Sequence, residues 1–233
     1  MRAKLWLFFL LFAAYTYMLS ILWWQKKLSL FLHPDFIPLA IVATGVLLVV
    51  TFALLFQRHS HAHALTWWKT ILLLLPVLVV TFVPLRPLSS STALTRGINS
   101  GVLSIGRKVN AMQFASNPAK RSLYQWVIAL NANPEPTHYD GQPVNIKGFI
   151  LHDPALPSDQ VLLARFIVTC CAADARVLSL PIQKTSALAS AKDDQWYAIK
   201  GKMVVVDANG QRSLLVQPDS AEQITEPDDP YEI

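Results

Sequence analysis

Cys170 and Cys171, the only cysteines of the chain, stand side by side, and Asp174 follows three residues later. Thiolates and carboxylates are ligands for soft and borderline cations, and a nearby acid sets the reactivity of a thiol. The preceding run, Leu162 to Val168, is apolar and partly β-branched, and it reads as a buried strand. On a strand that reaches Cys170, neighbouring side chains alternate between faces. That places the two sulfurs on opposite sides, so that Cys171, with Asp174 in the following turn, is the expected ligand pair. The competing reading makes both cysteines small buried apolar side chains. A bond between neighbouring cysteines is strained and no third cysteine exists, so no disulfide is expected and the redox compartment stays open.

A second set of donors is His59, His61 and His63. In an extended loop these alternate imidazoles reach one cation together; in a solvated loop they bind nothing durably. The candidate metal set is therefore His59, His61, His63, Cys171 and Asp174, with a divalent metal as the only cofactor suggested. His33-Pro34 reads as a helix-capping turn. Arg165, between strand apolars, is expected to pair with a carboxylate such as Asp174. No nucleophile elbow, Gly-rich phosphate loop, spaced His-Glu-His set or dinucleotide fingerprint occurs, so the residues point away from an enzyme.

The elements that must carry these residues divide sharply. Through Tyr139 there are 12 basic and 2 acidic residues; from Asp140 onward there are 8 basic and 13 acidic ones. A basic, apolar-rich first half is joined to an acidic second half, and the overall charge of +5 says nothing about nucleic acid. Three apolar runs, about 5–24, 36–56 and 67–85, uncharged apart from Lys69 near the start of the third, are long enough to cross a hydrocarbon core. Trp23, Trp24, Trp67 and Trp68 suit the interfaces, Lys69 can snorkel towards one, and Pro76 and Pro84 are expected inside the third span. The first run lacks a small-x-small cleavage site and reads as a retained helix. Flanking charges tie: Arg2, Lys4, Arg58 and Lys69 on one side, Lys26, Lys27, Arg86 and Arg96 on the other. An odd number of spans separates the two termini, and a dominant first helix puts the C-terminal domain outside the cytoplasm.

Residues 1–86 thus form the expected transmembrane region and 87–139 a basic linker with a short helix from Asn117-Pro118, Leu123, Trp126, Val127 and Leu130 sharing one face. From 140 to 233 the period becomes that of strands: Val144–Leu151, Leu162–Cys170, Arg176–Gln183, Gln195–Val206 and Leu214–Gln217, with a turn signal at Asp207-Ala208-Asn209-Gly210. The fold class expected is a membrane α-helical region of three transmembrane helices plus a small all-β C-terminal domain, an OB-like barrel or sandwich.

Gly148-Phe149, Leu163-Ala164-Arg165-Phe166, Cys171-Ala172-Ala173-Asp174, Trp196 leading into Lys200-Gly201-Lys202, and Pro227-Asp228-Asp229-Pro230-Tyr231 occur in this order. With them the chain resembles the YcgQ-like family of uncharacterised membrane proteins. The resemblance implies an N-terminal membrane region, a His-bearing loop, a C-terminal β domain, and a role as one subunit of a two-component permease whose partner is a separate polytopic protein. Several relatives carry a long run of His, Asp and Cys in the second loop; here only His59, His61 and His63 stand there, which weakens the carry-over of metal capture.

The expected function is an accessory, non-catalytic subunit of a membrane permease complex that handles a metal ion. The alternative is a membrane-anchored sensor or assembly module that binds no metal. The expected partners are a polytopic permease and membrane lipids. Nucleic acid is excluded, because the β domain is acidic and Trp196-Tyr197 are adjacent instead of forming a stacking ladder. The three runs hold hydroxyls and no internal carboxylate, His or Arg, too little polarity to line a path alone.

Overall fold

The computed structural model describes residues 2–56, 67–98, 117–208 and 211–232, and the chain divides into two compact units, Met1–Pro87 and Leu88–Ile233.

The first unit holds α1 (Arg2–Trp24), α2 (Ile37–Phe56) and α3 (Trp67–Phe82), with α1 packed on both of the others. All three expected apolar runs are helical. The stretch Pro34–Ala53 has a mean hydropathy of 2.5 with none of it buried, and it is long and apolar enough to cross a membrane. The apolar helical stretches Phe9–Trp24 and Ile71–Phe82 are shorter. Pro76 lies inside α3, but Pro84 does not: the helix stops at Phe82, because a proline biases the residue before it away from helical geometry. Between α1 and α2 the His33 ring Nδ1 accepts the Asp35 N–H at 3.2 Å, the capping role expected of it.

The second unit is built on five strands: β1 (Pro143–Leu151), β2 (Gln160–Ile167), β3 (Arg176–Gln183), β4 (Trp196–Ala208) and β5 (Gln211–Ile224). β1 pairs with both β2 and β4, β4 with β5, β2 with β3, and β3 meets β5 in parallel at Ile182↔Val216. The circuit closes a five-stranded barrel, an OB-like arrangement, and of the two forms expected for the domain it is the barrel. A short sixth strand, β6 (Tyr231–Glu232), adds in parallel to β2.

Closure needs close backbone approach at two glycines. A Cβ on Gly148 would stand 2.5 Å from the Ala164 carbonyl where β1 crosses to β2, and one on Gly201 would collide with the Gln217 carbonyl. At Gly201 the β4–β5 register shifts, so that Lys200 faces Ser220 while Gly201 faces Pro218. This bulge accommodates Pro218 within a strand that runs to Ile224. The sequence ended that strand at Gln217, since proline normally ends or marginalises a strand.

Two cores result. The barrel interior holds Ile146, Ile150, Leu163, Leu178, Ile199, Met203 and Val216, and α5 (Leu123–Ala132) closes it with Leu123, Trp126 and Val127. α5 starts at a capping box, Ser122 accepting the Gln125 N–H while the Gln125 side chain accepts the Ser122 N–H. A second cluster lies on the other face of β1 to β3, where Phe149, Phe166, Val177, Trp196 and Tyr231 are covered by α4 (Ser90–Arg96) through Ala93. β2 is therefore buried on both faces. The segment 87–139, read as a linker, contributes α4 and α5 to this unit.

Candidate functional site

β2 ends at Ile167, three residues before the first cysteine. Val168 is still buried; Thr169 and Cys170 then bend out of the strand, Cys171 makes a single β-bridge in extended conformation, and one 3-10 turn, Ala172–Asp174, follows before β3 begins at Arg176. Strand alternation consequently does not apply to the cysteines. Their sulfurs lie on the same side, 3.7 Å apart, which corrects the expectation of opposite faces. Both are free thiols; Cys170 is exposed and Cys171 partly so.

Asp174 folds back over the turn. Its Oδ1 accepts the Thr169 N–H at 3.2 Å and its Oδ2 the Cys170 N–H at 2.9 Å. Arg96, from α4, donates through Nη1 to the carbonyls of Ala172 (3.1 Å) and Ala175 (2.8 Å). The loop backbone is thus held from both sides, and the two thiols project from a braced turn.

Electrostatics follow from these contacts. Burial pushes the Asp174 carboxyl up, but hydrogen bonds from the Cys170 thiol and from the N–H groups of Cys170, Thr169 and Cys171 more than offset it, and the carboxyl lies below its ordinary value. Such bonds stabilise the turn above the ordinary carboxylate range and are lost as pH falls through the lowered value. The Cys170 thiol, hydrogen-bonded to Asp174 and beside Cys171, is pushed up to about 11 from 9.0. It is a protonated thiol at neutral pH and no activated nucleophile. Replacing Asp174 by Asn removes the carboxylate that holds this proton. Alkylation of Cys170 near pH 8 is then expected to accelerate roughly tenfold or more. Stopped alkylation followed by mass spectrometry measures it, and an unchanged rate would show that Asp174 does not control the thiol.

Arg165 does not pair with Asp174. Its guanidinium reaches the C-terminal tail, with Nη1 3.1 Å from Glu232 Oε1, Nη2 donating to the carbonyls of Asp229 (2.7 Å) and Tyr231 (3.1 Å), and Nε to that of Pro230 (3.2 Å). It also lies 5.7 Å from the Trp196 ring centre. β2 presents Arg165 on the flank where β6 docks, remote in sequence but adjacent in register through Phe166↔Tyr231.

Sequence reasoning missed one pair. His152 Nδ1 and the His152 N–H both stand 2.8 Å from Asp193 Oδ1, joining the end of β1 to the turn before β4. Its only sequence signal is the Asp193-Asp194 dipeptide. Asp194, at φ 66°, accepts both the N–H (2.5 Å) and the hydroxyl (3.0 Å) of Ser90 and so fastens α4.

Of the metal set, Cys171 and Asp174 share the braced turn, whereas His59, His61 and His63 lie outside the described residues. Among the described residues no group of three or more His, Cys, Asp and Glu side chains is placed to hold a metal ion.

The fold defines a five-stranded OB-like barrel, closed by a short helix and preceded in the chain by a helical unit with an apolar span. Residues 119–232 match the family model of the DUF1980 C-terminal domain, a domain family of uncharacterised function. The matched stretch takes in α5 with all six strands, which agrees with the packing of Trp126 into the barrel. No curated protein matches the chain.

Proposed function

We propose that the protein is a multi-pass membrane protein that serves as the accessory, non-catalytic subunit of a polytopic permease. Its β domain lies outside the cytoplasm and handles a metal ion through the Cys171–Asp174 turn. The observation that carries the subunit reading is the fate of the helix hydroxyls. Thr16, Ser20, Thr44, Thr51 and Thr81 each donate to a carbonyl of their own helix four residues back, at 2.7 to 2.9 Å. Tyr15 of α1 donates to the Leu73 carbonyl of α3 at 2.7 Å. Hydroxyls committed in this way offer little to a polar solute at membrane depth, where its lost hydration must be replaced.

The outer surface of α2 supports the same reading. Leu39, Val42, Val46, Val49, Phe52 and Phe56 are all exposed, a surface suited to lipid or to partner helices. Gly45 has open space around it, so a partner helix could approach its backbone closely. Purification of the full chain from its native membrane in mild detergent tests the proposal: a polytopic membrane protein is expected to co-elute, and recovery of the chain alone would count against it.

A further inference from the structure

We propose that Cys170 and Cys171 together form a two-thiolate site for a thiophilic d10 cation of the class of Zn2+ and Cd2+. The inference deepens the metal-handling part of the proposed function and adds Cys170, which strand alternation had set apart from its neighbour.

Two thiolates bound at about 2.3 Å to one tetrahedral ion stand about 3.8 Å apart. The two sulfurs of the turn are already 3.7 Å apart. Little rearrangement is needed to place one ion against both, so the ordering cost that weakens ligands on a mobile loop is small. The bite is held by the surrounding contacts, with Arg96 bonded to the carbonyls of Ala172 and Ala175 and Asp174 accepting the N–H groups of Thr169 and Cys170. Exposure of Cys170 opens the site to an incoming ion.

Binding breaks two S–H bonds and forms two S–metal bonds; the two protons pass to water and no electron moves. Asp174 acts as a positioning residue, engaged with the backbone. Two sulfur ligands leave the other positions of a tetrahedral ion open. That arrangement suits a site that takes an ion from one donor set and yields it to another, the task of a subunit that serves a transport partner.

The test uses the full chain in detergent with its thiols reduced, titrated with Cd2+ while the ultraviolet thiolate-to-cadmium charge-transfer band is followed. The wild type is expected to develop the band with one equivalent of Cd2+. Cys170→Ser and Cys171→Ser are each expected to lose about half of its intensity and to weaken binding by more than about 100-fold. Far-ultraviolet circular dichroism checks that both variants keep the barrel, which the near-isosteric exchange at an exposed turn should preserve. Absence of the band in the wild type, or an undiminished band in either serine variant, would overturn the site. Two readouts on the wild type, the Cd2+ titration and partner co-elution, separate this inference from the subunit reading: co-elution of a partner with a wild type that binds no Cd2+ sinks the thiol site alone, and a Cd2+-binding chain with no partner sinks the subunit reading alone.

Discussion

Replacing Trp126 by Ala is expected to lower the stability of the barrel by about 3–5 kcal/mol, the range for emptying a large aromatic site. Trp126 is fully buried, packs edge-on against Tyr139 at 6.2 Å, and carries the Arg121 guanidinium 4.8 Å from its ring centre. It fixes α5 over the barrel mouth, where the Tyr139 hydroxyl also donates to the Ala129 carbonyl at 2.6 Å. Its own indole Nε1, however, is buried without a hydrogen-bond partner among the described residues. An unpaired buried donor costs about 1–3 kcal/mol, so Trp126→Phe, which removes the donor along with some volume, should stay within about 1 kcal/mol of the wild type. Hydrogen exchange of the barrel amides in the solubilised full chain reads both opening free energies. Equal losses in the two variants would refute the role given to the unpaired donor.

Arg165→Ala is expected to release the C-terminal tail from β2 at a cost of about 3–5 kcal/mol, because it leaves the Glu232 carboxylate, 8% exposed, buried without its cation. Three backbone carbonyls of the tail lose their donor in the same step. Arg165→Lys should recover only part of this, since a single ammonium cannot satisfy four acceptors spread around a planar fork. Limited proteolysis near residues 225–232, together with exchange at the Phe166 and Ile167 amides that flank β6, provides the measurement. A tail as protected in Arg165→Ala as in the wild type would show that the second core, and not the guanidinium, holds it.

The strands of the barrel were legible because each carries a period of two or a continuous apolar run, and a turn signal separates β4 from β5, where Ala208 pairs with Gln211. The helix through Trp126 was legible from its apolar face but not from its start: Asn117-Pro118 opens a separate 3-10 turn, Pro118–Lys120, and the helix begins at the Ser122 cap. What escaped depended on long-range register. Pro218 argued for a strand end, but Asp219, the extra residue of a bulge on β5 itself, and Gly201, which lets the opposing strand approach closely, admit it. Arg165 was assigned a partner nine residues away, while its true partners lie at 229–232, brought in by parallel pairing that no local pattern encodes. The cysteines were placed on opposite faces because Val168 and Thr169 suit a strand by propensity. Asp174, by capping the N–H groups of Thr169 and Cys170, turns the backbone away from the sheet and brings both sulfurs together.

The proposed subunit role is tested most directly by what accompanies the chain out of the membrane. Full-length chain, affinity-tagged and extracted in mild detergent from its native membrane, should co-elute at a constant ratio with one polytopic membrane protein and cross-link to it through α1 to α3. Elution as the chain alone, followed by solute movement across liposomes reconstituted with nothing else, would contradict the account.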